Sequence, residues 1–217
     1  MEPLIAIVIS LILLTSFALL IQNRIHSMIV TFTCQSVLLA VVMFLYALNG
    51  FESALYISAL FTVLLKVLFI PYALKYFVHS LNIRHKVANV KHRFLLLLGA
   101  TSLVLFCYRL ISKIRIISWT SNNSTLAVAM SVMLLGIVLL ITHKKAVAHI
   151  IGFMAMENGI FLAAIVATKG LPILVEVGIV FDALVTAILF GIFFSQLRRS
   201  INSLDVDRLN LLREDVE

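Results

Sequence analysis

Charged residues are scarce in this 217-residue sequence. They make up 12% of the chain, against roughly 25% in soluble globular domains, while 62% of the residues are hydrophobic and the mean hydropathy is +1.13. A water-soluble globule of this size could not bury so much apolar surface. Because apolar runs of roughly 18 or more residues recur, the sequence predicts an all-α, polytopic membrane protein.

Cysteine is nearly absent, and so are the short motifs of soluble enzymes. Cys34 and Cys107 lie within apolar runs, without a CxxC motif or a Cys/His cluster at metal-ligand spacing, so no metal or iron–sulfur site is predicted. The sequence has no phosphate-binding loop, nucleophile elbow or dinucleotide fingerprint. Its longest loop, about residues 79–93, is too short to fold as a catalytic domain. We therefore expect neither a cofactor nor catalytic residues in this chain.

The apolar runs predict seven membrane spans. They cover about residues 3–21, 27–48, 54–77, 94–111, 125–142, 147–168 and 172–195. Each is long enough, or nearly so, to cross a hydrocarbon core of roughly 30 Å at about 1.5 Å per residue. The N-terminal stretch lacks the basic region and the small-residue cleavage site of a signal peptide, so we expect it to be a retained first span.

Basic residues are divided unevenly between the predicted loops. The positive-inside rule places the side with more of them in the cytoplasm, which puts the N-terminus outside and the C-terminus inside. The net charge of +7 therefore indicates topology, with the lipid bilayer as the partner and no nucleic acid. Nine basic residues fall on the cytoplasmic side and three on the other: Arg24, Arg84, Lys86, Lys91, Arg93, Lys144, Lys145, Arg198 and Arg199, against Lys113, Arg115 and Lys169.

Four ionisable residues, Lys66, Glu157, Glu176 and Asp182, lie within the predicted spans away from their ends or nearly so. Arg109 is a fifth, near the outer end of the fourth span, where its side chain can reach the surface. Counted from the span ends, Lys66, Glu157 and Asp182 each lie roughly 15 Å from a membrane face, whereas Glu176 lies within about one turn of the outer surface. A charge inside the bilayer is costly, so such residues usually face protein or water and usually serve a function. Since low dielectric eases proton gain and loss, they predict a proton relay. The alternative is a Lys–carboxylate pair that fixes helix packing.

A series of motifs follows in a fixed order along the chain. They are FTCQSVLLA with Cys34, Gln35 and Ser36, LLKVLFIPYAL with Lys66 and Pro71, IIGFMAMENG with Gly152, Glu157, Asn158 and Gly159, LPILVEVGIVFDALV with Glu176, Gly178 and Asp182, and the tail SLDVDRLNLL. In order and spacing, the sequence resembles component E of the hydrogenase-4 and formate hydrogenlyase type of membrane complex.

The last three predicted spans also resemble the three-helix K (or 4L) subunit of complex I. In that family a carboxylate on each of two helices contributes to the proton path. Asp182 is similar in placement to the second carboxylate. The position of the first carboxylate holds Met154 in this sequence, and Glu157 lies one helical turn later. The resemblance implies an N-terminal four-helix region at 1–115, a K/4L-like three-helix region at 116–197 and a cytoplasmic tail at 198–217.

This resemblance implies a non-catalytic subunit of a group 4 hydrogenase-like or complex-I-like assembly in the cell inner (plasma) membrane. It would contribute a proton or cation relay through Glu157, Asp182, Lys66 and Glu176 and dock antiporter-like subunits. A quinone-subunit relative and soluble hydrogenase-type or iron–sulfur subunits are the other implied partners, and they would hold the metal centres. Two alternatives remain open: a subunit of a cation/proton antiporter or ion-coupled uptake complex, and a purely architectural membrane subunit.

Overall fold

The computed structural model describes residues 2–50, 54–80, 93–113 and 123–168, together with six single positions of the last predicted span: Gly178, Val180, Ala183, Leu184, Ala187 and Gly191. The described ranges are helical apart from short connections. The helices are α1 (Glu2–Ile21), α2 (Ile25–Leu48), α3 (Ala54–Thr62), α4 (Ile70–Ser80), α5 (Arg93–Lys113), α6 (Asn123–Thr142) and α7 (Ala146–Thr168). A π-helical stretch, Val63–Phe69, joins α3 to α4 and is called the π segment below.

Six stretches of the described ranges are long and apolar enough to cross a membrane. They are α1, α2, the continuous run from α3 to α4, α5, α6 and α7. Their bounds agree within two residues with the first six predicted spans, so the all-helical, membrane-spanning class is confirmed. The seventh predicted span, 172–195, lies outside the described residues except for its single positions.

The third span widens in its middle. In the π segment the backbone N–H of Ile70 donates to the carbonyl of Leu65, five residues earlier. Pro71 follows at once; it has no N–H, and its ring crowds the carbonyl four residues earlier, that of Val67. A wider turn relieves this crowding. Lys66 lies at the centre of the π segment.

The α1–α2 and α6–α7 connections lie at the same end of the helix assembly. His143, in the second connection, is buried, and its ring is hydrogen-bonded to the carbonyl of Gln22 in the first. The hydroxyl of Thr142 lies 3.1 Å from the Nδ1 atom of His143. Spans that alternate in direction would place these two loops on the same side of the membrane.

Helices α6 and α7 approach each other backbone to backbone at two glycines. A Cβ atom on Gly136 of α6 would lie 2.5 Å from the backbone nitrogen of Met156 on α7. A Cβ atom on Gly159 of α7 would collide with the backbone of Met133 on α6. Small residues permit such close packing between membrane helices. The α6–α7 pair also packs against α1 and α2, which places the residues of α7 in the interior.

Two apolar clusters fill that interior, one above the other along the helix axes. The proximal cluster, next to the α1–α2 connection, includes Leu19, Leu20, Ile25, Met28, Ile29, Phe32, Ile70, Leu74, Leu135, Leu139, Ile151 and Met154. The distal cluster, towards the other end, includes Ile5, Ile9, Ile12, Leu39, Val42, Met43, Leu55, Ala59, Val132, Leu162 and Ile165. On each of the four spans that line the site, a short gap separates the residues of one cluster from those of the other.

Candidate functional site

Buried polar side chains fill the gap between the two apolar clusters. Helix α1 contributes one, α2 two, the π segment one and α7 two, and each is at most 4% exposed. Because both clusters exclude water, these groups must satisfy one another. We call this set the polar layer; it consists of Ser16, Gln35, Ser36, Lys66, Glu157 and Asn158.

The charged pair of the polar layer is Lys66 with Glu157. The Nζ atom of Lys66 lies 3.4 Å from Oε2 of Glu157, and each side chain is 1% exposed. Burying either charge alone would cost several kcal/mol, and the attraction between the two offsets much of that cost. Their placement on different spans means that the pair also ties the third span to α7.

Asn158 connects this ion pair to α2. Its Oδ1 atom accepts a hydrogen bond from Lys66 Nζ at 3.2 Å. Its amide nitrogen donates to Oε1 of Gln35 and to the hydroxyl of Ser36, both at 3.4 Å. Gln35 in turn donates from Nε2 to the hydroxyl of Ser16 on α1 at 2.7 Å. The polar layer is therefore one connected network that crosses four spans.

An aromatic ring covers the ammonium of Lys66. The Nζ atom lies 4.8 Å from the centre of the Phe161 ring, within the range of a cation–π contact. The same ring fits against Gly178 of the last predicted span, where a Cβ atom would lie 2.5 Å from it. Phe161 thus contacts both Lys66 and the glycine that precedes Asp182 by four residues in the sequence.

A buried hydroxyl stripe continues from Lys66 towards the distal end. Ser58 and Thr62 precede Lys66 at intervals of four residues, and both are buried. Each hydroxyl lies 3.7 Å from the sulfur of Met43 on α2 and donates to it. Since a thioether is a weak acceptor, these contacts hold the two hydroxyls only lightly.

The chemistry available to the polar layer is acid–base chemistry. Its ionisable members are an amine and a carboxyl group, which can exchange a proton with each other. Within the ranges described above, no group of three or more His, Cys, Asp or Glu side chains is placed to hold a metal ion.

Of the four predicted relay residues, the structure brings Lys66 and Glu157 together. Glu176 and Asp182 lie outside the described residues. From the sequence, Asn158 was noted only as a polar neighbour of Glu157, Gln35 and Ser36 belonged to a motif without an assigned role, and Ser16 was not identified. An uncharged polar residue is common in a membrane helix, so only its level relative to Lys66 and Glu157 could have pointed to it.

The chain is similar to Hydrogenase-4 component E of Escherichia coli, with 30% identity over 185 residues that cover 84% of each protein. Hydrogenase-4 component E of Shigella flexneri matches with the same identity and coverage. The uncharacterized protein Rv0085 of Mycobacterium tuberculosis is 35% identical over 86 residues, which are 40% of this chain and 39% of that protein. No family model and no solved structure matches the chain.

Proposed function

Because the chain belongs to the hydrogenase-4 component E family, we propose that it is a non-catalytic membrane subunit of a hydrogenase-like complex and that it relays protons within the bilayer. The buried Lys66–Glu157 pair, at 3.4 Å, carries this proposal. Ionisable residues inside membrane helices are rare, usually pair with one another and commonly mark proton relays, and this supports the proposal. The inner (plasma) membrane is the location we infer.

The elementary step is proton transfer between the two groups of the pair. The N–H bond of the Lys66 ammonium breaks and an O–H bond forms on Glu157, so a buried ion pair becomes a neutral amine and a neutral carboxylic acid. In low dielectric the charged and neutral states lie closer in free energy than they do in water. A charge change in a neighbouring group can therefore decide which state is occupied, and this couples the pair to events elsewhere in the complex.

Asp182 and Glu176 are the further stations that we propose. Asp182 lies four residues after Gly178 in the sequence, and the contact of Gly178 with Phe161 supports a route from Lys66 towards Asp182. Glu176 would lie nearer the outer surface. We assign the first four predicted spans to an N-terminal region at 1–115, α6, α7 and the last predicted span to a three-helix region at 116–197, and the cytoplasmic tail to 198–217.

The other subunits supply the redox chemistry in this proposal. Antiporter-like membrane subunits and a quinone-subunit relative would cover the exposed apolar faces of this chain, and soluble hydrogenase-type or iron–sulfur subunits would hold the metals. The peripheral helix α5 offers such a face, since Leu95, Leu98, Leu105 and Phe106 are all exposed.

The test is purification of the tagged protein from its own membranes in a mild detergent, followed by mass spectrometry of the bound proteins. Recovery of antiporter-like subunits together with nickel–iron or iron–sulfur proteins is the expected result. Antiporter-like subunits alone would instead favour an ion-transport complex without redox partners. A chain that purifies alone and stable would contradict both assignments.

A further inference from the structure

A line of hydrogen bonds, with one branch from Asn158 to Ser36, runs from Lys66 to the backbone of α1. It passes from Lys66 Nζ to Asn158 Oδ1 at 3.2 Å, from Asn158 Nδ2 to Gln35 Oε1 at 3.4 Å and from Gln35 Nε2 to Ser16 Oγ at 2.7 Å. Ser16 Oγ then donates to the carbonyl of Ile12 at 3.0 Å. Each group accepts on the side of Lys66 and donates on the side of α1.

The chemistry of lysine fixes this direction. An ammonium group has only donors, so the atom of Asn158 that faces Lys66 must be its carbonyl oxygen. The amide nitrogen of Asn158 then points to α2, so Gln35 must present its oxygen to Asn158 and its nitrogen to Ser16. The hydroxyl of Ser16 therefore accepts from Gln35 and donates to Ile12. Reversing any one group would place two donors or two acceptors face to face.

The order in the line has an electrostatic consequence. Both side-chain amides direct their negative ends towards the ammonium of Lys66, and hydrogen bonds aligned in this way polarise one another in a water-free interior. Ser16, Gln35 and Asn158 are at most 4% exposed and lie between the two apolar clusters, so water does not compete for these bonds.

We propose that Ser16, Gln35 and Asn158 are positioning residues that fix the amine of Lys66 opposite the carboxyl group of Glu157. Helix α1, which carries no ionisable side chain between Pro3 and Ile21, thereby becomes part of the relay site. Its role in ion movement rests on the proposed function, whereas the positioning itself is a property of this chain and can be measured separately.

The first experiment replaces Gln35 in the assembled complex. Gln35→Leu keeps the size of the side chain and removes both hydrogen bonds, so we expect the rate of proton uptake per assembled complex to fall roughly threefold to tenfold. Gln35→Glu, when its carboxyl group is protonated, can accept from Asn158 and donate to Ser16, so it should recover most of the rate. A structural role alone would lower the yield of complex and leave the rate per complex unchanged, and that result would overturn the proposal.

The second experiment needs no transport. A double-mutant cycle of Ser16→Ala and Lys66→Met, read as the shift in melting temperature of the purified complex, should show that the two changes are not additive although the residues do not touch. The matched control is Ser131→Ala, because Ser131 is also fully buried and donates within its own helix, to Ala127 at 2.7 Å. Its effect should add to that of Lys66→Met.

The two experiments separate the possible failures. A wild-type complex that moves no protons would remove the proposed function, and the melting-temperature cycle would still test the line of hydrogen bonds. Additive shifts for Ser16→Ala and Lys66→Met would overturn the positioning proposal even in a complex that transports protons.

Discussion

Glu157 carries a negative charge into a region where few side chains can stabilise it. Its carboxyl group and the Lys66 ammonium compensate each other's charge, and Asn158 and the Phe161 ring provide further contacts to the ammonium. Breaking a buried ion pair by removing one partner is far more costly than replacing both partners with neutral groups. The pair is therefore a stability determinant as well as the site of the proposed proton transfer.

Lys66→Met should destabilise the protein by about 3–5 kcal/mol, because it removes the ammonium 3.4 Å from the buried carboxylate. The double variant Lys66→Met with Glu157→Gln should recover much of that loss, since no buried charge of the pair remains. Chemical denaturation in detergent micelles measures the free energy of unfolding of both variants. Equal losses in the single and double variants would show that the two charges are not energetically coupled.

His143 makes stability depend on pH. Burial lowers the pKa of His143 below its usual value of 6.5, with a small contribution from His149, and the hydrogen bonds to the carbonyls of Leu139 and Gln22 only partly oppose this. Between the two pKa values the unfolded chain binds more protons than the folded chain. Stability therefore rises with pH across this window and is lost as the pH falls below about 6.5.

Melting temperatures at pH 5.5 and 7.5 test this prediction. The wild-type protein should lose stability at the lower pH, and His143→Gln should lose markedly less. His149→Gln is the matched control, because His149 is exposed and should leave most of the pH dependence in place. A pH dependence that survives in His143→Gln would assign it to another group.

For single residues, the sequence predicted which ionisable side chains matter but not which side chains they contact. Lys66 and Glu157 stood out because a charge in an apolar run is costly and rare. Their contact across 91 positions of the chain, and the amide that links them to α2, depend on how the helices rotate about their axes. A hydropathy pattern does not specify that rotation, so the line through Gln35 to Ser16 could not be predicted.

Among the described elements, α6 and α7 pack backbone to backbone, so a side chain larger than glycine at their contact has no room. Gly136→Ala would force its new Cβ atom to within 2.5 Å of the Met156 backbone. Overpacking of this kind typically costs about 1–3 kcal/mol, and here it would also displace α7, which carries Glu157 and Asn158. We expect a lower melting temperature and weaker proton uptake.

Gly99→Ala is the control for Gly136→Ala. Gly99 lies within α5, and nothing lies within 4 Å of a Cβ atom placed there. Alanine is favoured over glycine in a helix by about 1 kcal/mol, so this change should be neutral or slightly stabilising. Similar losses in the two variants would show that close α6–α7 packing is not the cause.

The third span contains a local irregularity that hydropathy does not predict. Residues 54–77 were predicted as one span, and their length and apolar character are confirmed. The π segment inside it depends on a local conflict between Pro71 and the preceding turn, and it changes the direction in which Lys66 projects. The average hydropathy of the run contains no information about that conflict.

For the whole molecule, the number of membrane spans within the described ranges was predictable and their arrangement was not. Length and apolar character identified six spans because the bilayer requires roughly 20 apolar residues per helix. The division of the interior into proximal and distal clusters with a polar layer between them appears only when the helices are packed. Counting residues from the helix ends gives depths in the membrane that are compatible with that layer for four of its members: Ser16, Gln35, Lys66 and Glu157. Composition does not show that their side chains point inward.

The proposed topology can be tested by thiol labelling of spheroplasts. In a background with Cys34→Ser and Cys107→Ala, a membrane-impermeant maleimide should label Asn122→Cys directly. Asn89→Cys should react only after permeabilisation, because the positive-inside rule places its loop in the cytoplasm. The reverse pattern would invert the orientation, and labelling of both sites in sealed spheroplasts would contradict the alternation of spans.

The most direct test of the proton relay is hydrogen-driven proton uptake by inverted membrane vesicles that contain equal amounts of assembled complex. Glu157→Gln removes the proton acceptor opposite Lys66 and keeps the shape of the side chain, so uptake should fall by at least about tenfold while hydrogenase activity measured with an artificial electron carrier is retained. Lys113→Gln changes an exposed lysine at the end of α5 and should leave uptake unchanged. Full proton uptake in the Glu157→Gln complex would contradict the relay and leave this chain an architectural role.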